Sequence, residues 1–219
     1  MATSTVEDYL KQILMLEQQG ASERASNGEI ASALDVTPGS VTTMVKALAD
    51  AGLVDYEAYG GVRLTTSGRQ LALHVLRRHR LLELFLVRVL GLEWTEVHDE
   101  AERLEHAVSD RVVERMDEVL GHPEVDPHGH PIPTASGNVG CSAATPLDEV
   151  EPGERVTVAR VSDRDAGFLR ALEKMGGRPG TRLTVHARDA GADSVTITLG
   201  RGRRETLGLR AAARILVEW

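Results

Sequence analysis

The sequence predicts an α+β protein in three parts: a helix-turn-helix with a hairpin wing, a pair of amphipathic helices, and a small β-rich barrel. Apolar residues recur at helical spacing from residue 4 to about residue 120, broken by one short alternating stretch. Beyond residue 152 the pattern changes to short runs of period two separated by turns. Between them, residues 122–151 hold most of the prolines and little periodicity, as a linker would. The expected divisions are therefore 1–65, 66–121, 122–151 and 152–219. With 219 residues and 42% hydrophobic content, the chain is large enough to bury a real core.

Each element has a local reason. In "STVEDYLKQILMLEQQ", residues 4–19, Val6, Leu10, Ile13, Leu14 and Leu16 stand near helical spacing behind Ser4 or Thr5 as N-cap. "NGEIASALDV" reads as a short second helix capped by Asn27. "TPGSVTTMVKALADAGLV" begins with Thr37 as cap and Pro38 at the first helical position, turns Val41, Met44, Val45 and Leu48 inward, and stops at Gly52. Two short helices joined tightly form a helix-turn-helix. The alternating runs around Gly60 and Gly61 predict a hairpin in the position of a wing.

Thr66 is the expected cap of a long helix ending at Gly91, and Thr95 of another running from 95 to 120. "ERVTVARV", "TRLTVHARD", "DSVTITLG" and "ARILVEW" are strands, with a brief helix at "AGFLRALEKMG". Four or five strands in so short a span predict a small barrel.

Thirty-three acids against 25 bases make a formal charge of -8, which by itself argues against a polyanionic partner. The distribution changes that reading: residues 93–124 hold 11 acids and 3 bases, whereas residues 1–80 hold 9 acids and 8 bases. The single cysteine, Cys141, excludes an intrachain disulfide and a thiolate zinc cluster, and has no neighbouring base that would make it a nucleophile. No long apolar run is present, so a cytoplasmic chain without membrane spans is expected.

The acidic excess has a pattern. In "HDEAERLEHAVSD", His98, Glu102, Glu105 and His106 share about a quarter of a helix circumference. His79 and Glu83, an i, i+4 pair on the preceding helix, could be brought near them by antiparallel packing. Glu102 with Glu105 would destabilise a helix by a few tenths of a kcal/mol unless a cation answers them. Oxygen and imidazole donors together suit divalent manganese, iron, zinc or cobalt. The linker histidines His122, His128 and His130, by contrast, are expected to face solvent.

At the front of the chain, Thr37, Pro38, Gly39, Ser40, Thr42 and Thr43 place short hydroxyls and accessible amides at the start of the second helix of the motif, where base edges and phosphates are read. Lys46 and the wing residue Arg63 would add phosphate contacts. Leu81, Leu82, Leu84, Phe85, Val87, Leu90, Leu104, Val108, Val112 and Val113 exceed what one helix pair can bury. They suit either a dimer interface or packing on the N-terminal domain.

Taken in order, "VEDYLKQILML", "LDVTPGSVTTMVKALADAGLV", "LTTSGRQLA", "RRHRLLELFL", "VHDEAERLEHAVSD" and "HGHPIP" resemble the metal-dependent repressors related to the diphtheria toxin repressor and its manganese-responsive relatives. The likeness covers nearly the whole chain, and the last 70 residues are similar to that family's SH3-like (FeoA-like) domain. The resemblance implies a homodimeric repressor that binds a palindromic operator in double-stranded DNA. It also implies two metal sites per subunit: a regulatory site of Asp8, Glu102, Glu105 and His106, and an ancillary site of His79, Glu83 and His98, with Asp163 or, as substitute, Asp165 from the C-terminal domain.

In the iron branch of the family a methionine stands at the position of Asp8 and a cysteine at that of Glu102. Hard carboxylates at both favour Mn(II), with Fe(II) the rival and other divalent transition metals able to substitute. Lys11 stands where small manganese regulators carry another carboxylate, and His98 supports separate sites. Two other functions are open to these residues: a carboxylate-bridged metalloenzyme, and a winged-helix regulator indifferent to metal. Neither accounts for Asp8 and the 79–106 cluster together.

Overall fold

The computed structural model describes residues 3–19, 24–140, 143–200 and 202–219, so Cys141 lies outside the described residues. The chain divides into two compact units, Met1–His79 with Pro133–Asn138, and Arg80–Ile132 with Val139–Trp219. No helix among the described residues is long and apolar enough to cross a membrane.

The first unit contains α1 (Ser4–Gln19), α2 (Asn27–Leu34), α3 (Pro38–Asp50), β1 (Val54–Glu57), β2 (Gly61–Leu64) and the first turns of α4 (Thr66–Arg88). Leu10, Ile13 and Leu14 of α1, Ile30 of α2, and Val41, Val45 and Leu48 of α3 are buried, each side chain stabilising the unit by about 1.5–3 kcal/mol. Met44, expected inside, is half-buried. The cap of α2 is Ser26 rather than Asn27. Its hydroxyl accepts from the Glu29 amide while the Glu29 carboxylate accepts from the Ser26 amide, a reciprocal capping box. Asn27 instead donates from its side chain to the Thr42 hydroxyl, tying the two helices of the motif together.

The wing pairs Val54 with Leu64 and Glu57 with Gly61. At Gly61 φ is +93°, and a Cβ would come within 2.8 Å of the Ala25 carbonyl oxygen. That carbonyl accepts from the Val62 amide, so the glycine lets the wing seat on the chain before α2. The cap of α4 is likewise one residue earlier than expected: Thr65 accepts from the Gly68 amide at 3.1 Å.

The second unit holds the rest of α4 and two helices, α5 (Val97–Leu104) and α6 (Asp110–Leu120), where the sequence suggested one. The helix stops because the amide of Ala107 bonds back only three residues, to Leu104, and Ser109 takes extended backbone angles before α6 begins. Glu105 and His106 therefore sit in a turn just past α5, not on a helical face.

The barrel consists of β3 (Thr145–Pro146), β4 (Arg155–Val161), β5 (Arg182–Asp189), β6 (Ser194–Leu199), β7 (Arg204–Gly208) and β8 (Ile215–Glu218), in the antiparallel order β3-β8-β4-β5-β6-β7. It begins at Thr145 rather than at residue 152, and β3 and β7 were not foreseen. Two short helices, α7 (Ala166–Lys174) and α8 (Leu209–Ala212), complete it. Register shifts between Val158 and Arg160 and between Val185 and Ala187 bend β4 and β5. Trp94, in the loop between α4 and α5, is buried with Val156, Val158, Leu183, Val185, Ile197 and Val217 in one core. Its ring nitrogen donates to Glu173 at 2.9 Å, so the helical segment and the barrel share a hydrophobic centre.

Candidate metal centre and nucleic-acid interface

Residues 126–131, "DPHGHP", form a tight loop that brings three ligand-type side chains together. Asp126 Oδ1 accepts from the amides of His128 and His130 at 2.8 and 2.9 Å, while Oδ2 faces His130 Nδ1 at 3.3 Å and the buried Arg80 guanidinium at 3.7 Å. At Gly129 φ is +88°, and a Cβ there would lie 2.1 Å from the Ala159 carbonyl oxygen. The loop therefore hugs β4, where the Val161 amide donates to the His128 carbonyl. Two residues beyond β4, Asp163 arrives within 3.6 Å of His130 Nδ1.

Ligand atoms of Asp126, His128, His130 and Asp163 all lie within 4.8 Å of one another. His128 is 0% exposed, which overturns its expected solvent-facing position. Its Nε2 lies 2.8 Å from the Trp94 carbonyl oxygen, which can only accept, so Nε2 carries the proton. Nδ1 faces Glu83, whose Oε2 is 3.7 Å away, too far for a hydrogen bond, and a bound cation would take the Nδ1 lone pair by displacing the proton there. Burial lowers the affinity of His128 for a proton, but the carboxylates of Glu83, Asp126 and Asp163 outweigh it, and the pKa rises to about 9.

Burial likewise opposes ionisation of Asp163, yet the imidazole of His130 outweighs that and holds its carboxyl below the ordinary range. The buried atoms Asp126 Oδ2, His128 Nδ1 and His130 Nδ1 have no hydrogen-bond partner. A buried cluster of that kind fits a divalent cation, with only oxygen and imidazole donors to hold it.

The other expected ligands fall as follows. Glu83 is fully buried on α4, and His98 on α5 reaches its Oε1 with Nδ1 at 3.2 Å. The other ring nitrogen of His98 lies 3.9 Å from Glu102. Glu105 is fully buried, 3.4 Å from His106. His79 is buried one turn before Glu83 on α4, and Asp8 is half-buried on α1 of the first unit. Asp165 is not in this group: it caps α7, accepting from the Phe168 amide, and meets Arg214 at 3.1 Å.

His122 is the exception among the linker histidines, exposed and 2.8 Å from Asp117. The Asp126, His128, His130 set was missed because isolated histidines near proline usually face water. The alternate spacing D-x-H-x-H around a glycine was the signal that could have found it, since residues two apart share a side in extended chain.

In the first unit, α3 presents Thr37, Pro38, Gly39, Ser40, Thr43 and Lys46 to solvent, with Thr42 half-buried. Thr37 accepts from the Ser40 amide as N-cap, and the hydroxyls of Thr42 and Thr43 donate to the carbonyls of Pro38 and Gly39, that of Thr42 also accepting from Asn27. Arg63 on the wing pairs with Asp55 at 3.0 Å, so its charge is partly answered before any phosphate arrives.

A winged helix-turn-helix joined to a buried carboxylate and imidazole centre defines a metal-dependent DNA-binding regulator. Comparison with known proteins agrees along the whole chain. Residues 1–62 match the iron dependent repressor N-terminal DNA binding domain, residues 65–134 the iron dependent repressor metal binding and dimerisation domain, and residues 145–218 the FeoA domain. The iron-dependent repressor IdeR of Mycobacterium leprae (strain TN) is 34% identical over 227 residues, covering 98% of this chain and 96% of that protein. The regulator MntR of Bacillus subtilis (strain 168) is 36% identical over 126 residues, covering 58% of this chain and 87% of its own.

A solved structure of a manganese-dependent transcriptional repressor in complex with manganese superposes with a TM-score of 0.91 at 43% identity, covering 97% of this chain and 98% of the other. The chain belongs to the iron-dependent repressor family, that of the diphtheria toxin repressor. It is a metal-dependent transcriptional repressor that binds DNA as a homodimer, and not an enzyme.

Proposed function

We propose that this protein represses manganese-homeostasis genes when Mn(II) is abundant, by binding a palindromic operator as a dimer. The observation that carries the metal reading is His128: a fully buried imidazole with its Nε2 proton committed to Trp94 and its Nδ1 turned to carboxylates. The hard-donor composition carries the choice of manganese. Asp8 and Glu102 stand where iron-responsive relatives carry sulfur, and the described second cluster is made of Asp126, Asp163 and imidazoles. Support also comes from the manganese-bound repressor to which the chain is similar.

Two ligand sets are assigned. Asp8, Glu102, Glu105 and His106 form the regulatory site. Asp126, His128, His130 and Asp163 form the second, with Glu83 3.7 Å from His128 and His79 and His98 beside Glu83. A bound cation supplies neutralisation of the clustered carboxylates and a fixed geometry. Asp8 then ties the helix that packs on the reading head to the segment that carries Glu102 and Glu105, and the two α3 helices of the dimer hold the spacing of half-sites one helical turn apart. Moving such a switch from about 1:99 to 99:1 requires a differential affinity of about 5.5 kcal/mol, within reach of two multi-carboxylate sites.

Iron(II) is the second reading, favoured by the full-length likeness to an iron-dependent repressor. The deciding experiment is selection from a random duplex pool by metal-stripped protein, run anaerobically with manganese, with iron(II) and with chelator. A palindrome enriched by micromolar manganese and absent with chelator establishes the reading. Enrichment by iron(II) alone replaces manganese, and equal enrichment under all three conditions removes metal gating.

A further inference from the structure

The arginines of this acidic protein are not where a DNA reader needs them. Helix α3 has one base, Lys46, and Arg63 on the wing is paired. Residues 145–219, by contrast, carry 13 bases against 11 acids in a chain of net charge -8. Their arrangement in the barrel is ordered by strand register.

Opposite one another across four strands stand Arg155 on β4, Thr184 on β5, Thr198 on β6 and Arg204 on β7. Val156, Leu183, Val185, Ile197 and Leu199, the alternating neighbours, are buried, so this row faces out. Arg182, on the same side of β5 two residues before Thr184, is a diagonal neighbour of Arg155, about 7–8 Å away. The next row along is His186, Thr196 and Thr206. Thr198 bonds His186 at 2.9 Å, and Thr196 bonds Thr206 at 3.2 Å.

From β4 to β7 this face holds three exposed arginines, five threonines and a histidine. Its carboxylates lie at the margins: Glu218 on the neighbouring strand β8, opposite Thr157 and so diagonal to Arg155, and Asp189 at the other end of β5, opposite Ser194. None of the three arginines stands directly opposite a carboxylate, and guanidinium groups gathered on one face repel one another unless an anion completes it.

We propose that this outer face of the barrel binds the phosphodiester backbone of duplex DNA, as a second, sequence-independent contact surface of the repressor. Arg155, Arg182 and Arg204 spread over three strand spacings, about 14 Å, enough to meet several phosphates, and threonine hydroxyls and imidazole are ordinary phosphate donors. The surface supplies the electrostatic attraction that the nearly neutral reading head lacks. The inference rests on the DNA-binding reading above, but on none of the metal ligands.

The test is fluorescence anisotropy of the full chain on an operator duplex and a scrambled duplex, with saturating manganese, across a salt series. The parent is compared with the triple variant R155Q/R182Q/R204Q and the triple R155K/R182K/R204K. Each lost phosphate contact lowers the slope of log affinity against log salt by about 0.9, so the glutamine triple should lose about three units per engaged subunit, and at least about tenfold in affinity on both duplexes.

Retention of slope by the lysine triple alongside that loss supports the proposal. Equal slopes for the parent and the glutamine triple overturn it, as does loss of slope in both triples at unchanged melting temperature. If the slope is unchanged but the glutamine triple no longer binds polyglutamate that the parent binds, the face belongs to an acidic polypeptide and the DNA assignment falls. Repeating the parent series with chelator tests metal gating separately: identical binding there would sink the gating alone, while the slope comparison still decides this proposal.

Discussion

The Nε2 proton of His128 points at the carbonyl oxygen of Trp94, 2.8 Å away, and that single bond sets which nitrogen of the buried ring is available to a cation. Orienting bonds of this kind are typically worth about 10–100-fold in metal affinity. His128→Ala should lower the measured stoichiometry of tight manganese binding from two to one per subunit, as read by equilibrium dialysis. An unchanged stoichiometry would remove His128 from the ligand set.

Glu102→Gln should abolish manganese-dependent operator binding while leaving the fold intact, and Glu83→Gln should weaken it less, by about 10–100-fold in the manganese concentration required. Anisotropy titrations with a duplex operator separate the two. Equal operator affinity for Glu102→Gln and the parent at saturating manganese would defeat the assignment of the regulatory site.

Gly129→Ala should act on both stability and metal. The added Cβ must clear a carbonyl oxygen 2.1 Å away at a φ of +88°, so the loop carrying Asp126, His128 and His130 has to lift from β4. The strain costs about 1–3 kcal/mol in urea denaturation, with loss of the second manganese. A variant that unfolds at the parent's midpoint and binds two ions would contradict the role given to this glycine.

Metal removal should be visible as heat sensitivity. A ligand held only by the folded state stabilises it by about 2.7 kcal/mol at one hundred times its dissociation constant. Chelator should therefore lower the melting temperature of the parent by several degrees. It should lower that of a His128→Ala, Glu102→Gln double variant much less.

The capping box of α2 gives a pH dependence of known sign. Hydrogen bonds from the Ser26 side chain and then its backbone hold the Glu29 carboxyl below 4.5, against a small effect of burial. A depressed carboxyl stabilises the folded state above its unfolded pKa, and that stability is lost as pH falls through the folded value. Ser26→Ala should cost about 1 kcal/mol at pH 7. The gap between the parent and Glu29→Gln should be present at pH 7 and close as the solution is acidified below pH 4.5. A gap that widens on acidification would reverse the assignment.

Much of this architecture was legible before any coordinates, because it is encoded locally. Thr37 and Pro38 mark the start of α3, the Gly60 and Gly61 pair marks the wing, and period-two alternation marks β4, β5, β6 and β8. The caps of α2 and α4 were misread by one residue. Ser26, Asn27, Thr65 and Thr66 are all competent caps, and only the hydrogen bonds formed decide among them. The continuous helix expected over 95–120 failed for a related reason. Glu105 and His106 continue the helical pattern of α5, yet the chain turns there, which a periodicity argument does not register. Strand β7 was missed because "RETLG" alternates too weakly to be seen without its partner β6.

What the sequence determined by itself was the inventory: a winged reading head, an acidic and imidazole-rich middle, a small barrel, and a ligand chemistry of hard oxygen and nitrogen donors. Those follow from residue types and from spacings within single elements. Tertiary structure decided which side chains meet. Asp126, His128 and His130 come together with Asp163 across more than 30 positions because β4 carries one toward the others and Gly129 permits the approach. Trp94 decides the tautomer of His128 from another loop again. Burial is what turns these groups from solvated loop residues into a centre suited to a cation, since polar groups without a full set of hydrogen-bond partners are costly only away from water.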